Sequence, residues 1–249
     1  MQLVVRAFSV LWKVYFILVL VSILIVLYPI YFVLLNNEKY FKAGFQLMRF
    51  QACLVMGLVG IFPKVERKLA NLPEGPFIIC PNHTSYLDIL LLYYIFSDYF
   101  IFMGKQELGA VPVFNIFFKK MNILVDRKSV TGAVRALGEA GRAVDKGHRV
   151  VIFPEGTIPH NAPEMRNFKH GPFKLAIKKQ LPIVPVTFVN NYRFLQDGAF
   201  FKRNGRPGCP KVVVHQPVTT NGLTESDLVS LRDKVHNIIK QPLDEHKSN

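Results

Sequence analysis

From residue 14 to residue 35 the chain reads VYFILVLVSILIVLYPIYFVLL, about 22 residues without a charge. A helix of that length crosses the hydrocarbon core of a bilayer, and a helix apolar all round must be covered by protein or by lipid. The run exceeds the roughly 7–15 apolar residues of a cleavable signal, and no small-x-small site closes it. Arg6 and Lys13 precede it and Pro29 lies inside it. A second apolar stretch, residues 45–62, carries Gln46, Arg49 and Gln51 near its start, where a charge can snorkel to an interface. With Asn36, Asn37, Glu38 and Lys39 as the joint, the two stretches predict a membrane-associated helical hairpin over residues 1–70. It either dips into one leaflet or crosses twice, and Arg6, Lys13, Lys64, Arg67 and Lys68 then share the cytoplasmic face. Localisation at the cytoplasmic face of a membrane follows, the inner membrane if the source is bacterial.

Composition agrees. Half of the residues are hydrophobic and the net charge is +14. A basic surface attracts anionic phospholipid headgroups. Nucleic acid would answer the same charge, but the aromatics concentrate in apolar segments such as residues 114–118 and form no stacking signature on a basic sheet, so it is not expected as a partner. Three scattered cysteines, Cys53, Cys80 and Cys209, indicate neither a disulfide framework nor a zinc site.

After the turn-rich residues 71–75 the pattern changes. Residues 77–80, 100–103, 123–125, 149–153, 183–189 and 212–215 read as strands, and residues 85–96, 109–120, 131–146, 172–179 and 226–240 as helices. Alternation of this kind predicts an α/β domain over residues 71–249, with a mixed, partly parallel sheet flanked by helices and a polar, frayed tail from Pro242 onward. Sites in such domains lie at the carboxyl ends of strands.

One strand ends at Cys80-Pro81-Asn82-His83 and is followed by Asp88, five residues past the histidine. A carboxylate that holds an imidazole in one tautomer makes it a base able to take a proton from an attacking alcohol. Ser85-x-x-Asp88 also fits a helix-start capping box, which needs no catalysis. A second strand ends at Phe153-Pro154 and is followed by Glu155, Gly156 and Thr157. A glycine there lets backbone approach a ligand and present N–H groups to an anion, although an ordinary turn has the same composition. Neither a Gly-x-Ser-x-Gly elbow nor a further His/Asp/Glu cluster at ligand spacing occurs, so a serine hydrolase and a metal-dependent enzyme are not expected.

Asn82-His83-x-x-x-x-Asp88, Gly104-Lys105-Gln106-Glu107-Leu108, Val125-Asp126-Arg127, Phe153-Pro154-Glu155-Gly156-Thr157 and Val184-Pro185-Val186 follow one another in this order. In that order they resemble the motif blocks of the glycerolipid acyltransferases, and the chain is similar to their 1-acylglycerol-3-phosphate (lysophosphatidic acid) O-acyltransferase branch, the PlsC type. The resemblance runs from about residue 73 to residue 190. It implies that His83 is the general base on the acceptor hydroxyl and that Asp88 orients it. Lys105 and Arg127 then match positions associated with the acceptor phosphate, and Glu155, Gly156 and Thr157 the block that helps hold the glycerol phosphate. Val184, Pro185 and Val186 match the block linked to the donor side or to packing. No cofactor and no metal are implied beyond the acyl-donor substrate, acyl-CoA or acyl carrier protein, which basic segments at residues 174–179 and 202–206 could steer. The expected partners are an anionic membrane surface, a lysolipid acceptor and that donor.

Many relatives follow the Phe-Pro-Glu-Gly-Thr block with an arginine; this chain has Ile158. Either Arg166, Lys169 or His170 supplies the missing charge, or the acceptor is a lyso-aminolipid without phosphate. A non-catalytic lipid-binding protein of the same fold is the remaining alternative, and the presence of both His83 and Asp88 argues against it.

Overall fold

The computed structural model describes residues 2–110, 115–126 and 129–248. In chain order the elements are α1 (Gln2–Leu35), α2 (Phe41–Leu58), β1 (Lys64–Arg67), β2 (Ile78–Pro81), α3 (Leu87–Ile95) and β3 (Phe100–Lys105). They continue with α4 (Asn115–Lys120), β4 (Ile123–Val125), α5 (Val130–Asp145), β5 (Arg149–Val151), α6 (Gly171–Lys179), β6 (Ile183–Phe188), β7 (Lys211–Val214) and α7 (Leu228–Ser248).

The strands form one seven-stranded sheet in the order β1-β7-β6-β2-β5-β3-β4. All neighbours pair parallel except β6 and β7, so β1 and β7 run against the other five. The predicted mixed α/β sheet is therefore present. β1 is an addition to it: Lys64-Val65-Glu66-Arg67 is too charged to announce a strand, and it forms because β7 offers an open edge with Lys64 in register with Lys211.

Each face of the sheet buries its own core. On one, α1, α2 and α3 pack over Phe77, Ile79, Val151, Val184, Val186 and Val212. On the other, α5, α6 and α7 cover Ile78, Cys80, Val150, Ile152 and Ile183. Within α1 the buried stripe is Trp12, Phe16, Leu24, Tyr31 and Leu35, while Val4, Phe8, Leu11, Leu18, Ile25, Val26 and Val33 on the remaining surface are exposed. By length and composition α1 can cross a membrane. The helical hairpin closes tightly, since a Cβ on Gly44 of α2 would sit 2.6 Å from Leu35 Cδ2. Tyr31 Oη donates to Gln51 Oε1 at 2.6 Å and Trp12 Nε1 to the Val59 carbonyl at 3.0 Å. The polar residues of α2 turn toward the domain: Gln46 donates to the Ser97 carbonyl at 2.9 Å and Arg49 to that of Tyr93 at 3.1 Å.

The tail departs from expectation. Instead of fraying at Pro242, α7 continues to Ser248. A helix-interior proline sacrifices one backbone bond and crowds the preceding turn, and burial of Pro242 and Leu243 against the sheet offsets that.

Under α7, His215 is nearly inaccessible. The Thr187 hydroxyl donates to the Ile239 carbonyl at 3.0 Å, which leaves its oxygen to accept from His215 Nε2 at 2.8 Å. Burial, helped by the charge of Lys68, pushes this imidazole down to about 4. The unfolded chain therefore binds a proton that the folded one refuses. Stability should fall as pH is lowered from 6.5 toward about 4 and level off below. Denaturant titrations across that range should show the slope in the parent and its loss in His215→Gln, whose amide does not titrate.

Candidate active site

The site forms where β2 ends. Asn82 pins that end to β6: its Oδ1 accepts from Phe188 N at 2.7 Å and its Nδ2 donates to the Phe188 carbonyl at 3.2 Å. The chain then leaves the sheet through His83, Thr84 and Ser85 and enters α3, whose first turn carries Asp88.

Asp88 is fully buried, and donors surround it. Its Oδ2 accepts from His83 Nδ1 at 2.8 Å, Thr84 N at 2.7 Å and Ser85 N at 3.0 Å. Its Oδ1 accepts from Asn191 Nδ2 at 2.7 Å and, at 3.4 Å, from Thr84 Oγ1. An ionised carboxylate only accepts, and each of these contacts brings a donor. With Nδ1–H committed to Asp88, the other ring nitrogen of His83, Nε2, carries the free lone pair. The ring is stacked on Phe153, centroids 4.1 Å apart and planes 26° from parallel, which fixes its orientation. Only half of the expected capping box forms. Ser85 N donates to Asp88, but Asp88 N donates to the Ser85 carbonyl and not to the hydroxyl, which accepts from Leu87 N at 3.0 Å, and the N-cap of α3 is Tyr86.

Glu155 lies behind the histidine, buried and used from both sides. Its Oε1 accepts from His83 N and its Oε2 from Arg166 N, both at 2.8 Å. It therefore braces the His83 loop against the segment that follows the Phe-Pro-Glu-Gly-Thr block. Burial pushes its carboxyl up to about 7, although the two backbone N–H groups favour the ionised form. Gly156 has φ +75, the left-handed region that favours glycine, and a Cβ there would meet Lys169 Cε and Nζ at 3.0 Å.

The other predicted residues are spread around this centre. Thr157 is exposed beside Gly156. Lys105 ends β3 with its side chain half exposed and its Nζ 3.2 Å from Glu107. Arg127 lies outside the described residues. Val184, Pro185 and Val186 are buried in β6. Ile158, where many relatives have arginine, is also buried, so its side chain is part of the packing. Two cations are placed against the block: Lys169, beside Gly156, and Arg166, whose charge acts on Glu155. Sequence reasoning missed Asn191, which reaches Asp88 from the turn after β6; two consecutive asparagines behind an apolar strand were the one available signal, and they look the same in an ordinary turn.

A polarised, oriented imidazole with a free nitrogen at the carboxyl end of a parallel strand is the equipment of an enzyme that activates a hydroxyl nucleophile. Comparison with known proteins agrees. The acyltransferase family pattern matches residues 64–189. Mouse 1-acyl-sn-glycerol-3-phosphate acyltransferase alpha is 33% identical over 165 residues, 66% of this chain and 57% of its own length. The human protein of the same name is 31% identical over 196 residues, 76% of this chain and 66% of its own. A bacterial 1-acyl-sn-glycerol-3-phosphate acyltransferase, from Borreliella burgdorferi, is 33% identical over 133 residues, 53% of each chain. The chain thus spans between about half and two thirds of the length of these relatives. In fold it is similar to the crystal structure of PlsC from Thermotoga maritima, with a TM-score of 0.80 over 98% of both chains at 24% identity. The chain belongs to the acyltransferase family.

The buried brace makes a measurable difference. Because the folded-state pKa of Glu155 lies above its ordinary 4.5, its contribution to stability is fully present below 4.5 and is lost as pH rises through about 7. Glu155→Gln should remove that component, seen as a flatter stability profile between those pH values in chemical denaturation. A profile unchanged by the substitution would place the ionisation elsewhere.

Proposed function

We propose that this protein transfers an acyl chain from an acyl thioester to the free hydroxyl of a lysophospholipid, 1-acylglycerol-3-phosphate in the first instance, giving phosphatidic acid. The observation that carries the reading is the His83–Asp88 pair: a base fixed by a fully buried carboxylate, with its second nitrogen unengaged among the described residues. The relatives' shared name supports the choice of acceptor.

In this mechanism His83 Nε2 removes the hydroxyl proton as the oxygen attacks the thioester carbonyl carbon. The imidazolium that forms is stabilised through Nδ1 by Asp88. The tetrahedral intermediate collapses with rupture of the carbon–sulfur bond, and the proton on Nε2 passes to the departing sulfur. Proton and charge balance over the cycle without a covalent acyl-enzyme, which leaves Ser85 free to start α3. Lys105, Arg127 and Lys169 are the cations assigned to the acceptor phosphate, where charge-assisted hydrogen bonds are strong. Lys169 rather than residue 158 supplies positive charge beside Gly156, which favours a phosphate-bearing acceptor over a lyso-aminolipid. The apolar exposed stripe of α1 supports action at a membrane surface, and the donor is acyl-CoA or acyl carrier protein.

His83→Ala should lower turnover by roughly 10²–10⁴-fold, the usual contribution of a positioned base, while leaving membrane association unchanged in flotation assays. Asp88→Asn should do the same by reversing the tautomer. Near-normal turnover in His83→Ala would remove the histidine from the mechanism. Offered side by side, lysophosphatidic acid should be acylated and a lyso-aminolipid should not; transfer to the aminolipid alone would overturn the choice of acceptor.

A further inference from the structure

Residues 194–206, beyond the turn that follows β6, double back on themselves as a hairpin. Leu195 bridges Gly205 antiparallel, Gln196 N donates to the Asn204 carbonyl at 3.0 Å, and Arg206 N donates to that of Phe194 at 2.9 Å. The tip closes on Ala199, whose carbonyl accepts from Lys202 N at 2.9 Å and from Arg203 N at 3.1 Å. Backbone bonds thus set the shape of the tip without help from its side chains.

Two neighbouring phenylalanines at the tip are used differently. Phe200 lies beside the ammonium of Lys13, which stands 4.6 Å from its ring centroid. Phe201 is 75% exposed, more than any other large hydrophobic among the described residues. A ring left in water forgoes the gain of burial, and nothing within the fold covers this one. The residues that follow it are basic. Lys202 and Arg206 are exposed and Arg203 is half-buried; among the described residues none of the three has an ion pair, although Arg206 lies over the Phe194 ring at 5.5 Å. The single acid of the hairpin, Asp197, is hydrogen-bonded to the Tyr86 hydroxyl.

The hairpin sits on α1. Lys13 Nζ donates to the Arg203 carbonyl at 2.6 Å and to that of Phe200, and Ser9 Oγ accepts from Gly205 N at 2.7 Å. Ser9 and Lys13 stand one turn apart on one flank of the helix, and Ile17, the next residue on that flank, is exposed. The hairpin therefore borders the exposed apolar stripe. Both anchoring residues precede the uncharged run at 14–35, so the tip meets α1 where the run begins, at the depth of headgroups rather than of acyl chains. Tyr15 is exposed at the same level, where aromatic rings are enriched.

An exposed aromatic ring beside unpaired cations suits a segment that lies in a membrane interface, the ring at the upper acyl chains and the cations on anionic headgroups. An acidic carrier protein would answer the same cations, but the position against α1 favours lipid. We propose that the tip of this hairpin is a second membrane contact beside α1, with Phe201 inserted into the interface and Lys202, Arg203 and Arg206 on the headgroups of anionic phospholipid. The contact rests on the membrane reading of α1 and is independent of acyl transfer.

Trp12 is the only tryptophan of the chain, so Phe201→Trp adds a local reporter and the parent protein supplies the blank. The full chain is reconstituted in vesicles of phosphatidylcholine brominated on its acyl chains, with or without phosphatidylglycerol. With phosphatidylglycerol present, the added emission should shift to the blue and be quenched. Omission of that lipid, or Lys202→Ala with Arg206→Ala, should abolish most of the quenching; all three substituted positions are exposed, so the fold does not depend on them. Emission typical of tryptophan in water, unquenched in both kinds of vesicle, would overturn the proposal, as would quenching indifferent to the anionic lipid and to the two alanines. A reporter that ignores lipid and responds to acyl carrier protein would also overturn it and give the surface to the donor. Turnover on the same vesicles separates this contact from the proposed function. Lipid quenching without acyl transfer would keep the contact and remove the acyl-transfer reading, and acyl transfer with an unquenched reporter would do the reverse.

Discussion

The loop between β2 and α3 and the turn after β6 both answer to the buried carboxylate of Asp88. A carboxylate withdrawn from water costs several kcal/mol unless donors replace its hydration. Here five groups do so, from the histidine, two backbone amides, a hydroxyl and an asparagine 103 residues away. Meeting that demand bends residues 83–85 back over the start of α3 and draws the turn after β6 down onto them. The geometry of the His83–Asp88 pair is thus a by-product of solvating one buried carboxylate with protein.

Two buried acids stand close together and differ in their donors. Asp88 is encircled, and one of its donors is a ring that can become a cation. Glu155 has only two backbone amides against a similar depth of burial, so its charged form is less well supported. The first acid holds the His83 ring and the second the backbone of the loop that carries it. Phe153 completes the arrangement by covering one face of the imidazole with a ring that offers no competing hydrogen bond.

Local chemistry was legible in the sequence; long-range chemistry was not. The six apolar strands announce themselves because a buried parallel sheet requires continuous Val, Ile and Phe runs, and β2, β5 and β6 meet that requirement. β1 stays hidden because its residues are charged and its stability comes from β7, nearly 150 residues further on. Pro242 reads as an end of helix until burial of Leu243 outweighs it. His83 and Asp88 are five residues apart and can be paired by spacing, and the ordered motif blocks name the chemistry. Asn191 carries no such mark, since its role depends on β6 lying beside β2. Glu155 was visible as a site residue, but its task, holding two backbone amides, belongs to the folded loop alone.

The seam between α1 and the segment after β6 has a mechanical meaning. Lys13, buried within the helix that carries the exposed apolar stripe, donates to the carbonyls of Phe200 and Arg203, and Ser9 accepts from Gly205 N. The same segment, through the Leu195 carbonyl, accepts from Ser85, two residues past His83. The helix with the exposed apolar stripe and the loop that carries His83 are therefore tied to one another through a single segment. A displacement of α1 would thereby be passed, through one stretch of chain, to the loop that holds His83.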